Sequence, residues 1–339
     1  MTIHDKLPNG NKILNPDLPD ANWDISGLFN FDTEIIDLIN MCHYIFNCDI
    51  PIKSVHGNYP VLWNSGRISP VKTSSMGCKG NEDSLQDPES IIKMFNNHNI
   101  STFLTCSNHL LKPKHLIDES CNWLLWLLST YNNNKSNGVI ISSDILSEYI
   151  KIKYPELKQK ASIVKIASEQ PKSRDLEYYL SLEDKFDFIV IHPDDNFNTD
   201  LLNAIAEHGN VEKYEILVNE NCVKGCPNRK AHYTEMSEQS LTGWNGMFHF
   251  YEYSEQFELG GSRHCGIRNY FNFVGHKRTI INNCNLSIQE IKNIYNMGYR
   301  LFKVQGRDGS WKHLGYNIIR YIFEPDQIVP LITGYSILY

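Results

Sequence analysis

The sequence predicts an α/β protein, a (β/α)8 barrel of the TIM type with an N-terminal arm and a long insertion near 243–277. Short apolar runs of strand character alternate with helix-length amphipathic segments about eight times. Eight such units in roughly 250 residues suit a closed barrel better than an open sheet. No Gly-x-Gly-x-x-Gly follows the first run and no Walker A sequence is present, so the nucleotide-binding open sheets lack their fingerprints.

Taken in order, residues 1–30 are rich in Asn, Asp and Pro without a sustained period and read as an irregular arm. Asp32–Phe46 has the apolar spacing of a mostly buried helix. Strands are expected at Val61–Trp63, Thr102–Cys106, Val139–Ser142, Ile163–Ala167, Phe186–His192, Tyr214–Asn219, Thr279–Asn283 and Leu301–Gln305. Helices are expected between them at Pro88–Asn97, Ile117–Tyr131, Asp144–Lys153, Arg174–Leu182, Thr199–Glu207, Ser287–Asn296 and Trp311–Phe323. Ser287-x-x-Glu290 is a capping box, and Gly138, Gly209 and Gly298 fall where helices should stop. The stretch from Gly243 to Lys277 is aromatic and Gly-rich and breaks the alternation. The expected organisation is an arm and helix over 1–50, a barrel domain over 51–325 and a tail over 326–339.

Composition narrows the function. With 339 residues, 41% hydrophobic and 21% charged, the chain can bury a full core, and its formal charge of −7 argues against a protein that coats nucleic acid. Nine cysteines at irregular spacing in a chain this long read as reduced thiols, some of them ligands. The polar start lacks the apolar core of a signal peptide and no run reaches the ~18 apolar residues of a membrane span, so a cytoplasmic protein is expected.

Chemistry concentrates after the sixth expected strand, in Cys222-Val-Lys-Gly-Cys226-Pro-Asn-Arg229. Gly225 lets the backbone turn and Pro227 stiffens the exit, so two thiolates can converge beside two cations. A zinc ribbon would need paired Cys-x-x-Cys knuckles, and a radical-SAM loop would need a cysteine where Arg229 stands. An iron–sulfur cluster accepts scattered ligands, with Cys265 (Gly-rich surroundings) as the third and Cys284 as the fourth. His192 and His232 are candidates for moving protons. Arg307, in Lys303-Val-Gln-Gly306-Arg307, is placed to grip a carboxylate or phosphate. Arg67, Asn108, Asn219, Arg229 and Lys303 follow or end expected strands and are candidates for holding substrate.

These two segments resemble the U32 "peptidase" family, whose Lys-Ile-x-Gly-Arg strand corresponds to Lys303–Arg307 and whose cysteine segment corresponds to Cys222–Arg229. The resemblance implies a TIM barrel carrying a [4Fe-4S] cluster and oxygen-independent hydroxylation in quinone biosynthesis or on RNA bases. The expectation is therefore an iron–sulfur barrel enzyme, a divergent member, acting on an anionic small molecule or nucleobase, as a homo- or heterodimer or a single chain. Two alternatives stay open: a zinc hydrolase or peptidase using the same thiols, and a non-catalytic cluster-bearing partner subunit.

Overall fold

The computed structural model describes residues 13–59, 61–65, 87–132, 136–170, 172–241, 271–274, 277–280, 283–306 and 311–324. Eight parallel strands close into a barrel. They are β1 (Asn22–Ser26), β2 (Ile52–Gly57), β3 (Ser101–Cys106), β4 (Gly138–Ile141), β5 (Lys158–Ala161), β6 (Phe188–Val190), β7 (Tyr214–Leu217) and β12 (Leu301–Val304). Each pairs with its successor in that order and β12 returns to β1, with Asp24 beside Lys303 in register. The fold is the expected (β/α)8 barrel.

The excursion between β7 and β12 supplies β8 (Asn219–Val223), β9 (Phe271–Val274), β10 (Lys277–Ile280) and β11 (Asn283–Asn285). β8 pairs antiparallel with β11, and β9 with β10, outside the barrel. Most of the expected insertion, and the expected tail, lie outside the described residues.

Ten helices are described: α1 (Asp32–Phe46), α2 (Pro88–Asn97), α3 (Glu119–Thr130), α4 (Asp144–Lys153), α5 (Ile163–Glu169), α6 (Leu176–Glu183), α7 (Thr199–His208), α8 (Arg229–Leu241), α9 (Ile288–Asn296) and α10 (Trp311–Ile322). Local signals explain their starts. The Asp87 carboxylate accepts from the Glu89 and Ser90 amides with Pro88 at the first turn, Asn198 caps α7, and Ser287 with Glu290 forms the expected capping box. None of the described helices is long and apolar enough to cross a membrane.

Three expected strands are corrected. Val61–Trp63 is a turn in which Val61 and Trp63 are buried and Leu62 is half-buried, Ile163–Ala167 is the body of α5, and Thr279–Asn283 takes in the end of β10 and the start of β11 rather than a barrel strand. The barrel strands missed by pattern are β1, β2 and β5. β1 lies inside the segment read as an arm, so the barrel begins at Asn22.

Alternation along the strands divides the interior into two environments. Trp23, Ile25, Val55, Val139, Ile141, Ile189, Ile216, Phe302 and Val304 face the helices and form the main apolar core. The inward positions are mixed: Phe103, Ile140, Val190 and Leu217 are buried, but so are Asp24, His56, Lys160, Glu215 and Lys303. At the barrel's narrow contacts a small residue is required. A Cβ on Gly138 would overlap the Lys158 carbonyl and the Phe103 ring. Gly138→Ala is expected to cost about 2–4 kcal/mol through strand displacement, read as a lowered denaturation midpoint with an unchanged m-value.

Candidate functional site

Five inward side chains from five strands meet inside the barrel. Asp24 is their hub: it accepts from His56 Nδ1 at 3.0 Å, Lys160 Nζ at 2.8 Å and Lys303 Nζ at 2.5 Å. Lys160 also donates to Glu215 at 2.5 Å, while Lys303 lies 3.6 Å from the other Glu215 oxygen. The Phe103 ring lies 4.6 Å from the Lys160 ammonium, so that cation is enclosed on an aromatic face as well.

Burial by itself would raise the Asp24 carboxyl, but His56, Lys160 and Lys303 hold it well below the usual carboxylate range. Burial lowers His56 to about 4, against the opposing pull of Asp24. Burial also raises Glu215 and lowers Lys303. Burial keeps the His56 ring neutral at neutral pH, and because an ionised Asp24 can only accept, the one proton stays on Nδ1 and Nε2 is left as an acceptor.

The His56 side chain reaches the mouth of the barrel. A cavity of about 60 Å³ opens there, with His56 and Lys303 on its floor and Ser65, Ser107, Ser162 and Gln305 among its walls. Tyr233 and Met236 of α8 cover it. That helix is fastened across the mouth by Asn108, whose Nδ2 donates to the Ser237 carbonyl at 3.1 Å, and by His109, which bonds Ser237 and Thr234. Tyr233 also packs on Val164 and Ala167 of α5.

The cysteine loop leads into the same helix. Cys222 and Cys226 share a hydrogen bond that raises the Cys222 thiol and pulls Cys226 down to about 6. Arg229 is buried beside them and stays a cation despite that burial, held by Tyr233, Cys222, Glu220 and Asp194. Its Nη2 donates to Asp194 at 3.0 Å and to the Val223 carbonyl at 3.2 Å. Nε and Nη1 are buried with no hydrogen-bond partner among the described residues.

The candidate residues therefore fall into different roles. Cys284, brought near by the β8–β11 pairing, turns its thiol to Asp194 at 3.2 Å, and burial pushes that thiol up to about 12. His192 is buried after β6; its backbone N–H donates to the Tyr179 hydroxyl and its Nδ1 accepts from the Asp194 amide, while burial with Arg174 and Arg229 lowers it to about 3. That is a capped structural imidazole, a poor proton acceptor at neutral pH. His232 is buried on α8, stacked on Tyr233 with ring centroids 5.9 Å apart. Asn219 clamps β8 to Gln305 by three hydrogen bonds, and Asn108 holds α8, so both position the mouth rather than line it. Among the described residues, Lys303 alone of the expected substrate ligands lines the cavity. Arg67, Arg307 and Cys265 lie outside the described residues.

The donor set fits a soft metal centre at two positions. Cys222 and Cys226 are adjacent sulfurs, and the unpartnered edge of Arg229 complements negative charge at that spot. Among the described residues, no group of three His, Cys, Asp or Glu side chains is assembled to hold an ion. Further ligands would come from elsewhere in the chain, where Cys265 stands.

Sequence reasoning missed Asp24, His56, Lys160 and Glu215. The signal available was a single ionisable residue flanked by apolar ones, as in Trp23-Asp24-Ile25 and Tyr214-Glu215-Ile216.

Two expected outcomes follow from the buried charges. Asp24→Asn leaves Lys160 and Lys303 to share the single carboxylate of Glu215 and is expected to destabilise by about 3–5 kcal/mol in urea unfolding; a loss under about 1 kcal/mol would contradict the hub. His56 and His192 are depressed in the folded state, so the unfolded chain binds more protons as pH falls below about 6.5. Stability should decline from about pH 6.5, the His56 share being complete near pH 4, and His56→Gln should flatten that part of the curve.

No protein-family model matches the chain, and no curated protein matches it. Among solved structures it is similar to one titled "The Structure of the U32 Peptidase Mk0906", with a TM-score of 0.49 and 13% sequence identity, covering 84% of this chain and 92% of that one.

Proposed function

We propose that the protein is a barrel enzyme whose reaction takes place at the mouth, with a metal centre, an iron–sulfur cluster in the first instance, held by Cys222 and Cys226. One observation carries this reading. Glu220 lines the cavity and accepts the Cys222 amide at 2.8 Å, while α8 runs from the cysteine loop over the cavity. A centre on those thiols would thus border the space in which a substrate group sits. When bound, such a cluster supplies redox or Lewis-acid chemistry. The chain's own residues shape the reaction: Lys303 and the wall hydroxyls orient the substrate, α8 excludes water, and Arg229 stabilises negative charge at the thiols. The substrate class is a small molecule or nucleobase carrying negative charge outside the cavity, and the reaction is an oxygen-independent hydroxylation or a related modification.

A second reading, a non-catalytic partner subunit, draws on Trp123 and Trp126. They stand one turn apart on α3 at 44% and 50% exposure, with Ile117 nearby at 79%.

Anaerobic purification with iron, sulfide and zinc analysis and an absorption spectrum tests the proposal. The expected result is a brown protein with a broad band near ~400 nm, lost in Cys222→Ser and in Cys226→Ser while both remain folded. Cys284→Ser is expected to retain the colour. One zinc and no colour would replace the cluster reading with a hydrolase, and metal retained in both thiol variants would overturn the assignment.

A further inference from the structure

The barrel-mouth cavity has a chemistry of its own, independent of any metal on the thiols. The His56 imidazole lines it, and because Nδ1 donates to Asp24, Nε2 is the ring nitrogen left to accept. Beside it, Lys303 Nζ spends one proton on Asp24, and the Glu215 oxygen at 3.6 Å is too far for a second full hydrogen bond. Ser65 and Ser107 share one hydrogen bond of 2.7 Å, so whichever hydroxyl accepts keeps its own proton free for a ligand. A neutral imidazole acceptor thus faces the Lys303 and serine donors, with Glu220 and Gln305 elsewhere in the lining.

Charge restricts what can enter. Asp24 and Glu215 balance Lys160 and Lys303, and Glu220 is offset by Arg229. Among the described residues, an entering carboxylate would meet no unmatched cation, and an entering cation no unmatched carboxylate. A buried charge without a partner is costly, whereas an uncharged group with satisfied hydrogen bonds is not. Size restricts it further. At about 60 Å³ the cavity exceeds the need of one water and falls well short of the roughly 150 Å³ that takes a benzene ring.

We propose that this cavity is a binding site for an uncharged amide- or lactam-type group, its N–H accepted by His56 Nε2 and its oxygen met by Lys303 Nζ and the Ser65–Ser107 hydroxyls. The rest of the substrate lies outside the cavity. His56 is thereby the residue that touches the substrate's exchangeable proton, with Asp24 as the positioning residue behind it.

The test uses the intact protein, purified anaerobically and labelled with ¹⁵N-histidine, with the His56 ring signals identified by their loss in His56→Gln. Acetamide, acetate and guanidinium are titrated as probes. Four non-hydrogen atoms support only weak binding, so acetamide is expected to shift the His56 Nε2 signal saturably in the millimolar range. Acetate and guanidinium should bind at least tenfold more weakly, and Ser107→Leu, which fills the cavity, should weaken acetamide at least tenfold. Acetate binding as tightly as acetamide, or no saturable shift with acetamide, would overturn the proposal. Loss of metal at the thiols leaves this result unchanged, so the two readings fail separately.

Discussion

A single buried carboxylate organises the barrel. Asp24 accepts hydrogen bonds from groups on β2, β5 and β12, so one oxygen pair ties strands from three positions around the closed sheet. Two ammoniums inside a protein are tolerable only when carboxylates meet them, and Glu215 on β7 completes the balance. Most of the barrel's apolar stabilisation lies outside this ring, where Trp23, Phe302 and their neighbours pack on the helices. The interior thus sacrifices apolar packing for fixed charge. The gain is orientation: Asp24 sets the His56 tautomer, and burial, aided by Lys303 and Lys160, suppresses its protonation.

The mouth is built by the excursion after β7. β8 pairs with β11 to carry the cysteine loop, and α8 returns across the opening, pinned by Asn108, His109 and Tyr233. Thiols, buried guanidinium and cavity therefore belong to one connected piece of structure at the C-terminal ends of the strands, where barrel enzymes place their chemistry.

The helices were legible because their caps and spacing are local: Asp87-Pro88 and Ser287-x-x-Glu290 act within one turn. The cysteine loop and Lys303 were legible as motifs. The missed strands failed for a common reason. β5, Lys158-Gln-Lys-Ala161, offers almost no apolar residue, since its inward Lys160 is matched by partners far away in sequence. The neighbouring apolar run of α5 took its place in the pattern. β1 and β2 were hidden in the same way by Asp24 and His56, whose burial makes sense only once Lys303 from neighbouring β12 and Lys160 from across the barrel meet Asp24. Val61–Trp63 misled in the opposite direction, because a turn that buries Val61 and Trp63 is as apolar as a strand.

The central claim is that Asp24 holds His56 as a neutral imidazole with its free nitrogen at the barrel mouth. Long-range ¹H–¹⁵N couplings of the His56 ring at neutral pH measure this directly. The account predicts the Nδ1–H tautomer with an unprotonated Nε2, collapsing to a mixture in Asp24→Asn. An imidazolium at neutral pH, or an Nε2–H tautomer in the unaltered protein, would contradict it.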